Sequence, residues 1–484
     1  MRILRDFLRN NEGYVTALTM VAMPLLLGFS LLVIDVGRGN NLHTDLQNAA
    51  DSLALAGARE LDGRADSITR ANTALAALVK NRARFSNGGP AVIDQTQIST
   101  AYLNAIPPSD DTKIDATWIG AHQTTNGTAA AYLLVRSNPR AMTSLFPLPV
   151  GLTLSTLNFQ AEAVATMSSA VCNTTPMFIC NPYEAAGKSI VDAFAAGDLY
   201  SKELRLLKTS SAPGPGNFGL LDSVDGLSLR DAFAIGNAGL CYKSNGVTTK
   251  PGVTLGQVNV GLNVRFDVYA GTLNKSNTDP AYRPAMNVRK GAKNPNACNK
   301  VQSDDPTKAM GLPASADTDY DSVKGISKNT TWNRSGYWTL NHGTSLPTAL
   351  QSASRYDVYK YELAHLLVGD KAGQKNGGET GTPHCVANTV TLTPDPDRRT
   401  FAAAVVNCTA DAGKISGRTE LKPSGFVRMF LISPVEKEDS QNNSVKDEDS
   451  SNEKPIHVEI VDVAGAGTGG TMDEFVRTES YLVR

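Results

Sequence analysis

Residues Tyr14 to Ile34 read YVTALTMVAMPLLLGFSLLVI and contain no charged side chain. A helix rises ~1.5 Å per residue, so a helical run of this length reaches about 30 Å, the hydrocarbon thickness of a bilayer. The apolar residues continue almost all round such a helix, so a one-sided amphipathic helix does not explain them. The sequence therefore predicts a transmembrane helix over residues 14–34.

Two other classes of N-terminal segment share an apolar run. A secretory signal peptide has an apolar core of ~7–15 residues and ends in a small-x-small cleavage site. Here Ile34 continues instead into residues 35–38, DVGR. A type IV prepilin leader fits residues 13–14, but prepilins resemble one another in a Glu at the fifth mature position, which is Leu18 here. We expect an anchor that is not cleaved.

The basic residues on the two sides of this span predict its orientation. Residues 1–13 contain three arginines, whereas Arg38 is the only Lys or Arg between Ile34 and Arg59. Basic residues favour the cytoplasmic side of a membrane. We therefore expect a single-pass inner membrane protein with residues 1–13 in the cytoplasm and the bulk of the chain in the periplasm or extracellular space.

Composition narrows the function classes. The chain has 484 residues and a formal net charge of -1, which excludes a basic nucleic-acid-binding protein. No second apolar run approaches membrane length, which excludes a channel or transporter. An even number of cysteines in an oxidising compartment indicates disulfides. The six candidates are Cys172, Cys180, Cys241, Cys298, Cys385 and Cys408.

The cysteine spacing suggests one set of pairs among the 15 that six cysteines allow. Cys172 and Cys180 flank a Pro-containing turn, so we expect them to pair. Cys385 and Cys408 bracket two strand-like runs, residues 386–392 and 401–406, and a hairpin there would bring them to bonding distance. Cys241 and Cys298 pair by elimination. The alternative is six free thiols.

An amphipathic helix follows the span over residues 42–61. One of its faces is rich in small residues, so another element can approach its backbone closely; this face carries Leu46, Ala49, Ala50, Leu53 and Gly57. Two interpretations remain open, packing on its own domain or contact with a partner helix of a membrane-embedded assembly. Asp51 falls on the polar side. We expect a loosened junction at residues 37–39 between the span and this helix.

The later patterns predict an α+β protein with two outer domains. The first covers residues 35–170 and packs two helices on an antiparallel sheet, with the second helix over 64–85 and strands over 91–106, 129–135 and 152–167. The second covers residues 171–484 and is a mixed α/β or β-rich domain. It is loop-rich over 241–345 and contains strands over 177–179, 261–269, 425–435 and 456–463 with a disordered loop over 436–455.

The Asp-Val-Gly exit and residues 46–58, LQNAADSLALAGA, together resemble the Tad-like N-terminal region of TadG-like proteins, which are associated with assembly of Flp (tight-adherence) pili. Later motifs are also similar to the outer regions of that family: GPGNFGLLD (214–222), NVRFDVY (263–269), the Trp-to-His run at 332–342, RYDVY (355–359), DPDRRTFAAAVVNC (395–408) and VRMFLISPV (427–435). The resemblance implies a structural or scaffolding component of pilus assembly, with pilus assembly or secretion proteins as partners. An anchored adhesin or matrix-binding protein is the alternative.

No sequence motif indicates a catalytic, metal-binding or phosphate-binding site. Some relatives carry a von Willebrand factor A domain with an Asp-x-Ser-x-Ser cation site, which this chain lacks, so its domain is a different one or has lost its metal. Residues 317–321, DTDYD, lack the turn Gly and bidentate Glu of an EF-hand loop. Residues 187–189, GKS, lack the first Gly of a phosphate-binding loop. We expect no catalytic residue, metal, cofactor or small-molecule substrate; an enzyme with an unrecognised site is the remaining class.

Overall fold

A computed structural model of the chain describes residues 14–77, 81–83, 91–93, 95–109, 111–145, 156–208, 214, 216–222, 227–236, 239–252, 255–302, 311–313, 326–327, 331–368, 381–415, 417–436, 455–464, 472 and 475–484. The chain forms two compact units. The N-terminal unit comprises Met1–Ser168 and Thr478–Arg484, and the C-terminal unit comprises Ser169–Arg477.

The N-terminal unit is organised around helix α1, Tyr14–Ala58, which continues for 45 residues without interruption. The helix joins the predicted span to the predicted amphipathic segment, so the loosened junction expected at residues 37–39 is wrong. Gly39 serves close packing, because a Cβ there would lie 2.7 Å from Cζ of Phe159. Pro24 also lies inside the helix, as Pro can in membrane-spanning helices.

Short elements surround α1. The helices are α2 (Ser67–Ala77) and α3 (Ala116–His122); the strands are β1 (Asn81–Ala83), β2 (Ala91–Ile93), β3 (Ile98–Leu103), β4 (Tyr132–Ser137), β5 (Arg140–Thr143), β6 (Thr156–Phe159) and β7 (Glu162–Val171), which continues into the C-terminal unit. Strand β4 pairs antiparallel with β3 and β7, and β5–β6 and β1–β2 form separate antiparallel pairs. The helix predicted over 64–85 is shorter, because Asn81–Ala83 is a strand.

The core of this unit lies between α1 and the sheet. Leu42, Leu46 and Leu53 of α1 are at most 2% exposed, and Leu133 and Val135 of β4 are fully buried in the same cluster. Burying each such side chain contributes roughly 1.5–3 kcal/mol relative to leaving it in water. The end of the chain returns to this unit, where Val164 donates its N–H to Arg484 O and accepts from Val483 N–H.

The C-terminal unit contains a closed six-stranded barrel. Its strands are β8 (Thr174–Cys180), β9 (Glu203–Lys208), β10 (Asn217–Leu220), β13 (Thr400–Val406), β15 (Gly425–Leu431) and β16 (Ile456–Val463). Around the barrel they follow the order β10-β8-β13-β15-β16-β9. The β8–β13 and β9–β10 pairs are parallel and the other four are antiparallel. The fold class predicted from the sequence, α+β with a β-rich second domain, is confirmed.

The remaining elements of this unit lie outside the barrel. They are the helices α4 (Ile190–Ala195), α5 (Leu229–Ile235), α6 (Leu255–Val264), α7 (Arg334–His342) and α8 (Arg355–Ala364), and the strands β11 (Tyr242–Lys243), β12 (Val247–Thr248), β14 (Glu420–Leu421) and β17 (Val476–Leu482), whose end belongs to the N-terminal unit. Strand β12 pairs with β14, and β11 pairs with residues 170–171 of β7.

Two strands predicted here are wrong. Residues 261–269 form the end of α6 and a buried turn, because Gly261 packs against α5, where a Cβ would lie 2.5 Å from Arg230 O. Asp267 then adopts a φ of 66°, which a strand cannot accommodate. Residues 386–392 form no strand either. The disordered loop predicted over 436–455 lies outside the described residues except at its two ends, and residues 317–321 lie wholly outside them.

All six cysteines are in disulfides, but every predicted pair is wrong. The observed bonds join Cys172 to Cys241, Cys180 to Cys408 and Cys298 to Cys385. Cys180 ends β8 directly opposite Val406 of its parallel neighbour β13, so the barrel rather than a hairpin brings Cys408 to it. The predicted hairpin does not exist, because residues 386–392 form no strand and the antiparallel partner of β13 is β15.

Candidate functional site: the membrane helix and its exit

The first half of α1 is an apolar surface that the N-terminal unit leaves uncovered. Among the residues that the structure describes, α1 is the one helix long and apolar enough to cross a membrane. Its side chains are exposed through the span, for example Met20 at 73% and Val33 at 70%. A continuous apolar surface of this size requires an apolar surrounding. The helix is therefore a candidate single-pass anchor.

Asp35 lies one residue beyond the span and is 4% exposed. Its Oδ2 accepts hydrogen bonds from Ser144 Oγ and from the backbone N–H of Leu145, both at 2.7 Å. Arg38 of the next turn donates to Asp35 Oδ1 at 3.0 Å and to Thr143 O at 3.2 Å. The buried carboxylate is thus paired and hydrogen-bonded, as a buried charge must be.

These contacts fasten the end of the β5–β6 hairpin to α1 where the helix leaves the span. Sequence reasoning identified the Asp-Val-Gly exit as a motif but not its partners, residues 143–145. The signal that could have found them is weak, because a Thr-Ser-Leu run after a short strand is common in any loop. The motif therefore has a physical role here, joining a helix to a hairpin that lies 105 to 110 residues later in the chain.

The small-residue face of α1 is packed inside its own unit. Leu46, Ala49, Ala50 and Leu53 are at most 2% exposed and belong to the core cluster, and Gly57 is also buried. A Cβ at Gly57 would lie 2.3 Å from Cδ2 of Leu133. The interpretation of this face as a surface for a partner helix is therefore corrected to internal packing. Asp51, on the polar side as predicted, accepts from Gln47 at 2.8 Å.

The later motifs of the chain supply buried polar contacts in the C-terminal unit. Arg355 of the RYDVY motif is fully buried and donates to Glu459 at 2.7 Å, with Glu203 at 3.4 Å. The backbone N–H groups of Arg355 and Tyr356 also donate to Glu459, each at 3.2 Å. Burial nevertheless raises the pKa of Glu459 above its usual value. The network attaches helix α8 to strands β9 and β16 of the barrel.

Two buried arginines donate to the free carbonyls at the end of helix α5. Arg265 donates to Phe233 O, and Arg398 donates to Ala234 O and Ile235 O, at 2.7 to 3.0 Å. The last carbonyls of a helix lack intrahelical donors, so these cations complete its hydrogen bonding and complement its dipole. Desolvation lowers the pKa of Arg398 to about 10.

A similar contact holds the segment that contains the third disulfide. Asp267 is fully buried, and its carboxylate accepts the N–H groups of His384, Cys385 and Val386. Burial raises the pKa of Asp267, because desolvation outweighs these three hydrogen bonds. Cys385 is bonded to Cys298, so its thiol serves as no nucleophile for the adjacent His384.

A cluster around Glu362 has the residue types of an acid–base site. Glu362 is fully buried and accepts from Tyr337 Oη at 2.9 Å, His342 Nε2 at 2.8 Å, Arg289 at 3.1 Å and Asn287 at 2.7 Å. Four partners occupy the carboxylate, and burial raises the pKa of Tyr337. The cluster crosslinks helices α7 and α8 and offers no open position to a reacting atom.

One cleft in the C-terminal unit, lined by Trp332, Arg334 and Leu346, has a volume of about 440 Å³, within the range of ~300–1,000 Å³ usual for small-molecule sites. A second cleft of the same unit has a volume of about 240 Å³. Its charged side chains pair with one another, Arg428 with Asp397 at 3.1 Å and Arg283 with Asp395 at 3.6 Å. Within the described ranges no group of three His, Cys, Asp or Glu side chains could hold a metal ion. Lys188 of the GKS sequence pairs with Asp198.

Comparison with known proteins matches one segment of the chain. Residues 13–60 match the family model Tad, described as "Putative Flp pilus-assembly TadE/G-like". No curated protein and no solved structure matches the chain. The matched segment coincides with helix α1, its exposed apolar half and its buried half together, so this helix carries the similarity to the TadE/G-like family.

Proposed function

We propose that the protein is a structural component of Flp pilus assembly, anchored in the inner membrane by α1, with residues 1–13 in the cytoplasm and residues 35–484 outside. The proposal rests on one observation. The segment that matches the Tad family model forms a single uninterrupted helix. One half of that helix needs a membrane, and the other half is the core of a folded unit. Such a helix holds an outer unit at a fixed position on a membrane.

A structural rather than enzymatic role agrees with how the buried polar groups are used. The carboxylates of Asp35, Asp267, Glu362 and Glu459 each hold two separate parts of the chain together. Catalytic groups need at least one open position toward a substrate. The partners we expect are other pilus assembly or secretion proteins and the inner membrane itself.

Deletion and complementation test this function in the native host. We expect deletion to abolish surface pili and the full chain to restore them. Residues 35–484 exported behind a cleavable signal should fail, because the outer units then lack their anchor. A chain in which an unrelated apolar helix of equal length replaces residues 14–34 is the matched control for anchoring alone. Unchanged pili in the deletion strain, with loss of adherence, would favour the adhesin alternative instead.

Topology is tested separately. Alkaline phosphatase fused after Arg484 should be active if the bulk lies outside, and peptide mapping of the membrane fraction should recover residues 1–38. A mature chain that begins beyond Ile34 would contradict the anchor.

A further inference from the structure

The β5–β6 hairpin lies along α1 and is directed toward the membrane span. At one end Phe159, paired with Arg140, packs against Gly39. At the other end Thr143 pairs with Thr156, and the next residues, 144–145, bond to Asp35. Along the helix, Gly39 and Asp35 are ~6 Å apart. Along the strand, the three steps from Arg140 to Thr143 cover ~10 Å, which is enough to follow the helix over that distance. The hairpin therefore approaches the level of Ile34 as it moves away from Arg140.

The end of the hairpin nearest the span exposes apolar side chains. Leu145 is 52% exposed and Leu157 is 39% exposed, while Ile34 and Val36 of α1 are 48% and 55% exposed at the same level. The described residues on the two sides of the hairpin, 141–145 and 156–160, contain no charged side chain. The one carboxylate at this level, Asp35, is paired with Arg38 at 3.0 Å. No unpaired charge among these residues opposes contact with lipid.

We propose that this end of the hairpin enters the boundary between headgroups and acyl chains beside α1, as a second membrane contact of the N-terminal unit. The occupant is lipid because the exposed leucines continue the apolar surface of the span through the Asp35–Leu145 contact. Interfacial elements bury their apolar face ~5–10 Å into this boundary. The proposal rests on membrane anchoring by α1 and adds to it. Two contacts, unlike one, fix the rotation of the helix about its axis.

Depth measurement with spin labels in phospholipid nanodiscs tests the proposal on the full chain. The native cysteines are all in disulfides, so a new cysteine is the one labelled. The test positions are Leu145→Cys and Leu157→Cys. A cysteine at 145 keeps the backbone N–H that binds Asp35. Val21→Cys reports the span, and Thr44→Cys, about 14 Å beyond Asp35 on the same helix, reports the aqueous side.

We expect the spin labels at 145 and 157 to be more accessible to oxygen than to a water-soluble nickel chelate. Their accessibility to the chelate should be several-fold lower than that of the label at Thr44→Cys. Chelate contact at 145 equal to that at Thr44→Cys, with Val21→Cys still protected, would overturn the hairpin contact and leave the anchor standing. Chelate contact at Val21→Cys would overturn the anchor, and with it both proposals.

Discussion

The two units stabilise their chain by different means. The N-terminal unit places one long helix against a small sheet, its core is largely Leu, Ala and Val, and none of the six cysteines lies in it. The C-terminal unit closes a barrel and joins distant segments of its chain with three disulfides and buried charges. The difference shows that a segment with a clear hydrophobic period can be held mainly by packing, whereas segments without one need specific bonds.

The largest effect should come from breaking a buried charge network. Arg355→Ala leaves Glu203 and Glu459 buried without their cation, which costs about 3–5 kcal/mol of unfolding free energy. The matched control is Arg418→Ala, because Arg418 pairs with Asp222 but is 74% exposed, and such pairs contribute under ~1 kcal/mol. Urea unfolding of the full chain, followed by circular dichroism, measures both. Equal losses would show that buried charge is not what holds helix α8.

The next effect concerns the covalent bonds of the same unit. The double variant Cys180→Ala/Cys408→Ala opens a bond that spans 228 residues, and we expect the C-terminal unit to lose about 2–5 kcal/mol. Cys172→Ala/Cys241→Ala is the control with a separation of 69 residues, and it should lose less. Non-reducing peptide mapping of the wild type checks the connectivity first. Recovery of a Cys385–Cys408 peptide would contradict the observed barrel.

A third prediction addresses close packing in the N-terminal unit. Gly57→Leu forces a side chain into Leu133 and Leu75, which should cost about 1–3 kcal/mol. Gly37 lies in the same helix with nothing within 4 Å of its Cβ position, so Gly37→Leu is the matched control and should be tolerated. Thermal unfolding in detergent micelles distinguishes them. A destabilising Gly37→Leu would mean that helix flexibility, not packing, governs these positions.

The smallest predicted effect is at the membrane exit. Asp35→Asn keeps one acceptor but loses the ion pair with Arg38 and one hydrogen bond, which should cost about 1 kcal/mol. Asp51→Asn, on the solvent side of the same helix, should change the unfolding free energy by less than about 0.5 kcal/mol. Hydrogen exchange at Leu145 N–H is the direct readout, and it should accelerate in Asp35→Asn alone.

The same contrast explains what the sequence could predict. The span, the amphipathic half of α1 and strands β13, β15 and β16 follow from apolar runs and periods of 3.6 or 2 residues, which are local properties. Disulfide connectivity is not local, because Cys180 and Cys408 meet only when β8 and β13 become parallel neighbours. Alternation over residues 261–269 suggested a strand, but Asp267 accepts three backbone N–H groups and ends a turn.

Of the candidate site, the residues of α1 could be predicted from the sequence, but their contacts with distant parts of the chain could not. The small-residue face could be identified from the sequence because its spacing along a helix is regular, and Asp35 because it belongs to the Asp-Val-Gly exit that resembles the Tad-like region. What they contact could not, because Leu133, Ser144 and Leu145 come from distant strands and loops. Small residues along a helix favour close approach of some element, and nothing in the spacing says whether that element belongs to the same chain.

In the proposed membrane anchor, the uninterrupted helix α1 links the span directly to the rest of the N-terminal unit. Because α1 has no break between Ile34 and Leu42, a rotation of the span about the helix axis would turn that unit with it. Each residue of a helix advances ~100°. The number of residues between the span and the buried face therefore sets the rotational orientation of that unit about the helix axis. Inserting one residue after Ile34 would leave the anchor and the core intact in composition and turn the unit by more than a quarter of a circle.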